Sequence, residues 1–169
     1  LMLSRADSKS LQLDLEWYDL SMALEELIED AESFHNPIRF ITHIEPGVKF
    51  RCDKALIEQL INNLISNAIK YNARQNPWIE LHLRQQQGQL ILSLKNAAES
   101  IPPGLAEKAF ERFYRGDDSR SRKGITGLGL GLSICKEIAL VHQGSITLEV
   151  PSENTVAVTF KAPLNPTLK

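Results

Sequence analysis

The 169-residue chain is predicted to fold as an α+β domain, with a mixed, mostly antiparallel sheet and helices packed on one face. Three observations carry this expectation. Strand-length segments of alternating apolar and polar residues occur in neighbouring pairs separated by turn residues, the pattern of hairpins. Longer segments between them repeat apolar residues at helical spacing and begin or end on capping residues. The composition, 43% apolar, 24% charged and 7% aromatic, is that of a chain able to bury one core, and excludes a disordered or low-complexity sequence.

In chain order, Leu11–Leu15 alternates and, with Glu16, Trp17 and Tyr18, reads as a short strand. Asp19 and Ser21 offer capping oxygens to a helix whose apolar residues Leu20, Leu24, Leu27, Ile28 and Ala31 recur at helical spacing, and Asn36-Pro37 ends it. Ile38–Ile44 is a second strand, turned by Glu45-Pro46-Gly47 so that Val48–Arg51 is expected to pair back on it. Asp53 caps a long helix that runs to about Tyr71. Trp78–Arg84 and Gln89–Lys95 form a hairpin around Gly88, and a helix entered through prolines is expected over Leu105–Phe113. Gly116–Lys123 is dense in charge and reads as a loop. Leu130–His142 is a helix closed by Gly144, and Ser145–Val150 with Thr155–Ala162 forms a last hairpin. No internal repeat is present.

Nineteen basic residues against 21 acidic ones give a net charge of −2, far from the basic balance of a protein that coats nucleic acid. Cys52 and Cys135 have no metal-binding spacing and stand far apart. No apolar run reaches the roughly 18 residues of a membrane span, and the N-terminus lacks a signal-peptide pattern, so a cytoplasmic module without membrane insertion is expected. The first residue is Leu, not Met, which leads us to expect a piece of a longer protein.

The helix beginning at Asp53 carries two stripes. Ile57, Leu60, Ile61, Leu64, Ile65, Ala68 and Ile69 form its apolar face, while Gln59, Asn63, Asn67, Lys70 and Tyr71 fall together on a separate polar one. Asparagine competes with the backbone for hydrogen bonds and is a poor helix former, yet Asn62, Asn63 and Asn67 all sit mid-helix. A solvated face is one reading. The other is a nucleotide site, because an Asn–Lys–Tyr line offers an oxygen ligand for Mg²⁺, a cation for phosphate and an aromatic edge for a base. Further on, Gly127, Gly129 and Gly131 alternate with Leu128, Leu130 and Leu132 and run directly into a helix, whose N-terminal N–H groups favour phosphate. The run lacks the Lys-Ser/Thr ending of a P-loop. The loop before it holds Arg112, Arg115, Arg120, Arg122 and Lys123, as a lid over an anionic ligand would.

These segments resemble, in order and spacing, the catalytic ATP-binding domain of sensor histidine kinases, within the superfamily shared with gyrase B, Hsp90 and MutL. Asn63–Tyr71 looks like its N-box, Phe110–Arg115 its F-box, Gly127–Ile134 its G2 box, and His142-Gln143-Gly144 the His-x-Gly that follows; the resemblance covers about 14–163. It implies a two-layer α/β sandwich of the Bergerat type, with ATP and Mg²⁺ held between the N-box helix and a mobile lid. Carried over by position, it implies that Asn67 coordinates Mg²⁺ with Asn63 beside it, that Lys70 contacts phosphate, and that Tyr71 borders the adenine. Arg115 and Arg120 would be the lid's phosphate contacts. Asn63, Lys70 and Arg115 would serve the transfer itself, and Asn96, Ile101, Phe110 and the run Gly127–Leu132 would border the nucleotide.

One motif departs from the family. Its G1 box reads Asp-x-Gly-x-Gly before Ile-Pro, whereas here Asn96-Ala97-Ala98-Glu99-Ser100 precedes Ile101-Pro102, and Leu128 stands where Ser or Thr is frequent. Weaker adenine recognition is therefore expected. None of His35, His43, His82 and His142 has the context of a phosphoacceptor, so the resemblance places that residue on an upstream helical hairpin, with 1–10 as the hairpin's end or a linker, 11–163 as the catalytic domain and 164–169 as a tail. The implied function is transfer of the ATP γ-phosphoryl to that histidine, for relay to an aspartate on a response-regulator receiver domain, in a kinase that is a homodimer through its hairpin and is either cytoplasmic throughout or the cytoplasmic portion of a membrane-bound sensor. Two alternatives stay open: a degenerate docking module without turnover, and a water-using ATPase. Gln59 stands one turn before Asn63, where the water-using relatives carry Glu, and a Gln cannot abstract a proton.

Overall fold

The computed structural model describes residues 13–34, 37–114 and 130–167. Among them, β1 (Leu15–Asp19) leads into α1 (Leu20–Phe34), then β2 (Arg39–Ile44), β3 (Lys49–Asp53), α2 (Lys54–Lys70), β4 (Trp78–Gln86) and β5 (Gln89–Ala97). A short α3 (Leu105–Lys108) follows, then α4 (Gly131–Val141), β6 (Ser145–Ser152) and β7 (Thr155–Pro163). A five-stranded sheet runs β2-β4-β5-β7-β6, parallel only between β2 and β4, and β1 pairs with β3 in a separate antiparallel ribbon. The expected mixed, mostly antiparallel α+β fold is borne out.

Strand alternation sets the two faces of the sheet. Ile79, Leu81 and Leu83 on β4, Leu90, Leu92 and Leu94 on β5, and Val158 and Phe160 on β7 turn inward and are buried with Leu60, Ile61 and Leu64 of α2 and Ile138 of α4. Burying each such side chain contributes about 1.5–3 kcal/mol, so this helix–sheet interface is the main source of stability. The other face carries Glu80, His82, Ser93, Lys95 and Thr159 and stays partly open to water. At the β4–β5 turn, Gln87 and Gly88 both take positive φ (52° and 74°), as a two-residue turn matched to strand twist requires.

Two expected elements differ. Residues 48–51 do not pair back on β2. The Val48 N–H donates to Ser21 Oγ (2.9 Å) and its carbonyl accepts from the Leu20 N–H (3.0 Å), so the first turn of α1 captures the chain and steers β3 onto β1. The helix expected over Leu105–Phe113 stops at Lys108. Beyond it the backbone bonds run three residues back, Glu111 N–H to Lys108 O and Tyr114 N–H to Glu111 O, and Phe113 takes a φ of 64°, which no helix continues through. At the other end of the chain, Leu164 is bonded to the body: its N–H donates to Gly88 O and its carbonyl accepts from the Arg51 N–H, both at 2.9 Å. No helix among the described residues is long and apolar enough to cross a membrane.

Candidate functional site

α2 is fixed at both ends. Asp53 accepts the Leu56 N–H in its Oδ1 (3.2 Å), closing the first turn. At the other end Tyr71 N–H returns to Asn67 O (2.9 Å), and the buried Asn72 donates through Nδ2 to Ala68 O (3.1 Å) and Trp78 O (3.0 Å) while accepting the Trp78 N–H (3.3 Å). Asn72 therefore staples the helix to the start of β4. Sequence reasoning gave Asn72 no role, because it lies one residue past the polar stripe. With both ends held, Ile57, Leu60, Ile61, Leu64, Ile65 and Ala68 are buried and Asn63, Asn67 and Lys70 are left half-buried on a second face. Gln59 is exposed.

That second face meets the N-terminus of α4. Asn63 Nδ2 donates to Gly131 O at 3.5 Å. A methyl group at Gly131 would lie 3.6 Å from Asn67 Nδ2 and 3.9 Å from Asn63 Cγ and Oδ1, so the missing side chain leaves open the space beside both amides. Among the described residues no side chain caps α4 at this end, and its first-turn N–H groups are directed out of the helix with the positive end of its dipole. Amide oxygens, a lysine and an uncapped helix N-terminus are the donor set that suits a hard cation and phosphate.

The remaining predicted residues divide three ways. Lys70 and Tyr71 stand together, with Lys70 Nζ 5.2 Å from the Tyr71 ring centroid and Tyr71 38% exposed. Asn96, at the end of β5, is 6% exposed and donates from Nδ2 to Ala97 O at 2.8 Å. Its strand end is tied to the end of α2, because Ala73 N–H donates to Ala97 O (3.1 Å) and Arg74 N–H to Glu99 Oε1 (2.7 Å). Phe110 and Leu132 pack partly buried against the core, and Ile101 and Leu130 are half-buried. Arg115, Arg120, Gly127, Leu128 and Gly129 lie outside the described residues, as does the loop 116–123.

Sequence reasoning gave His142 no task beyond its place in a motif. It is fully buried, its Nδ1–H donates to Ile138 O (2.8 Å), and its Nε2 accepts the Asp53 N–H (3.1 Å), so a neutral imidazole bolts the end of α4 to the start of α2. Burial holds its pKa below the ordinary value, against the opposing pull of the Ile138 carbonyl and Asp53. Gly144 follows where a side chain would strike Lys161 O at 2.4 Å. The thiols are inert: burial pushes Cys52 and Cys135 up to about 12, despite a hydrogen bond from Asn63 that favours the Cys135 thiolate.

A helix with paired asparagines facing a glycine-led helix N-terminus, over a mixed sheet, defines a class. The chain belongs to the family of histidine kinase-, DNA gyrase B-, and HSP90-like ATPases, which matches residues 52–166. Within it the similarity is to sensor histidine kinases, as the sequence resemblance implied. The chain is 32% identical over 166 residues to the sensor histidine kinase WalK of Bacillus subtilis (strain 168), covering 96% of this chain and 27% of that protein. It thus spans about a quarter of that relative's length. The solved catalytic domain of histidine kinase ThkA superposes with a TM-score of 0.75 at 27% identity, covering 91% of this chain and 98% of that one. ThkA in complex with response regulator protein TrrA gives 0.68 at 27% identity, over 90% of this chain and 42% of the ThkA chain.

Proposed function

We propose that this chain is the ATP-binding kinase domain of a sensor histidine kinase. The observation that carries the reading is the meeting of Asn63 and Asn67 with Gly131 at the uncapped start of α4. In this reading Asn67 supplies an oxygen ligand to Mg²⁺, with Asn63 beside it holding the glycine backbone in place. Lys70 neutralises phosphate charge, Tyr71 borders the adenine and Asn96 accepts from its amino group. Arg115 and Arg120 close on the phosphates from the lid, with Phe110 and the Gly127–Leu132 run around them. Bound Mg²⁺ would offset the charge of the phosphate oxygens as the γ-phosphoryl leaves. The protein's own part is positioning and charge neutralisation, and no side chain on the polar face of α2 is a base.

The phosphoryl acceptor is a histidine on a helical hairpin of the parent protein, and the relay ends on a response-regulator aspartate. The ThkA–TrrA complex supports a partner of that kind. The domain would work in the cytoplasm, on 11–163, in a parent kinase that dimerises through its hairpins. Asn67→Ala tests the site. Loss of outer-sphere partners alone typically costs a metal 10–100-fold in affinity, so losing an oxygen ligand should weaken Mg²⁺-dependent ATP binding by at least about tenfold. Far-UV circular dichroism should stay unchanged, since Asn67 is turned from the core. Calorimetric titration with unchanged ATP affinity in Mg²⁺ removes Asn67 from the site.

A further inference from the structure

The face of the sheet turned away from α2 and α4 carries a cluster that the nucleotide site does not use. His43 on β2 and His82 on β4 are direct partners in the parallel register, and Glu80 lies two residues before His82 on the same face. Their imidazoles stack with centroids 4.4 Å apart. Both Nε2 atoms face one carboxylate oxygen: Glu80 Oε1 is 2.7 Å from His82 Nε2 and 3.9 Å from His43 Nε2. The other oxygen, Oε2, is occupied from β5, where Lys95 Nζ stands 3.8 Å away. Lysine thus pins one side of the carboxylate and leaves the opposite side to the histidines.

We propose that His43, Glu80 and His82 form a surface site for a divalent first-row transition ion, with zinc the best fit. One ligand atom from each residue lies within 4.8 Å of the other two. A tetrahedral zinc ion with bonds of about 2.0–2.1 Å holds its ligands roughly 3.3 Å apart, so the His82–Glu80 pair at 2.7 Å opens and the His43–Glu80 pair at 3.9 Å closes by rotamer adjustment. Two imidazoles and one carboxylate suit Zn²⁺, Cu²⁺ or Ni²⁺ and are too nitrogen-rich for Mg²⁺ or Ca²⁺. The site is accessible, with the His43 side chain 56% exposed, and three protein ligands leave at least one position for water or an outside donor. The ammonium of Lys95 opposes a cation, which sets the site toward modest affinity. The two histidines are 39 residues apart, and only strand register brings them together, so no spacing motif announces them.

Zinc binding to the tag-free chain, followed by competition with a chromophoric indicator, tests the proposal. One ion per chain is expected, with millimolar Mg²⁺ failing to displace it. His43→Gln, His82→Gln and Glu80→Gln should each weaken it at least about tenfold, the scale seen when even supporting groups are lost. These side chains lie on the outer face, so circular dichroism should show each variant folded. Asn67→Ala, on the other side of the sheet, should leave zinc affinity unchanged, which separates this site from the nucleotide reading. Cu²⁺ in place of zinc should give an electron paramagnetic resonance spectrum with two nitrogen ligands, reduced to one in either histidine variant. Absence of binding at millimolar zinc, or affinity unchanged in both histidine variants, overturns the site.

Discussion

Asn96, one residue before the end of β5, is buried and has one amide N–H committed, since Nδ2 donates to Ala97 O at 2.8 Å. That bond uses one of the two Nδ2 hydrogens and orients the amide, and in the proposed reading its oxygen, an acceptor, is the atom that takes the amino group of adenine. The family's aspartate would accept with a full charge, so Asn96→Asp has two opposed effects. Without nucleotide, a carboxylate against the Ala97 carbonyl loses a donor and leaves buried oxygens facing each other, and thermal melts should show about 1–3 kcal/mol of destabilisation. With ATP, exchanging a neutral hydrogen bond for a charged one should gain on the order of 1 kcal/mol, several-fold in affinity, with no gain for GTP. An Asp variant that binds ATP no better than its parent removes Asn96 from base reading. The position was visible in the sequence by its place before Ile101-Pro102; the bond that orients its amide was not, because it depends on the backbone bend after β5.

Among the links between α4 and α2, one is a neutral imidazole. His142 gives its Nδ1 proton to Ile138 O and accepts the Asp53 N–H, while Asp53 itself closes the first turn of α2. Because burial depresses the folded pKa, the unfolded chain takes up a proton near pH 6.5 where the folded chain does not. The folded state then binds fewer protons, so this contribution is complete above about pH 6.5 and is lost as the pH falls toward the lowered folded value. Urea melts between pH 7.5 and 5.5 should show wild type losing stability faster than His142→Gln. An unchanged difference between the two proteins across that range rules the coupling out. Most elements were legible because local signals agreed with tertiary demand: the Asp53 cap, the apolar stripe of α2, the Gly88 turn. β3 was misread because its partner is chosen by Ser21 and Leu20, some 27 residues upstream. α3 was overextended because nothing in Ala109–Phe113 announces the positive φ at Phe113.

Across the whole molecule, the described histidines stand apart from the polar face of α2. His142 is sealed in the core, and His43 and His82 lie on the far side of the sheet. In the proposed reading the chain alone, incubated with Mg²⁺ and γ-labelled ATP, should acquire no acid-labile label, and adding its parent's helical hairpin should produce label on the hairpin. Acid-labile label on the isolated chain contradicts that reading. The two-faced sheet was legible from alternation, and the site's helix from its asparagines. The pairing of distant strands was not, since strand order is a property of the assembled sheet. That order carries its own consequence for synthesis. β7, the last of the described strands in chain order, sits between β5 and β6, not at the rim. On the ribosome β5 must wait with an unpaired edge while more than fifty residues are added, and β6 emerges with no partner until β7 follows it. The sheet therefore closes only after translation has passed Pro163, and a nascent chain stalled before that point presents two open strand edges to its neighbours, the condition under which chains aggregate or recruit chaperones.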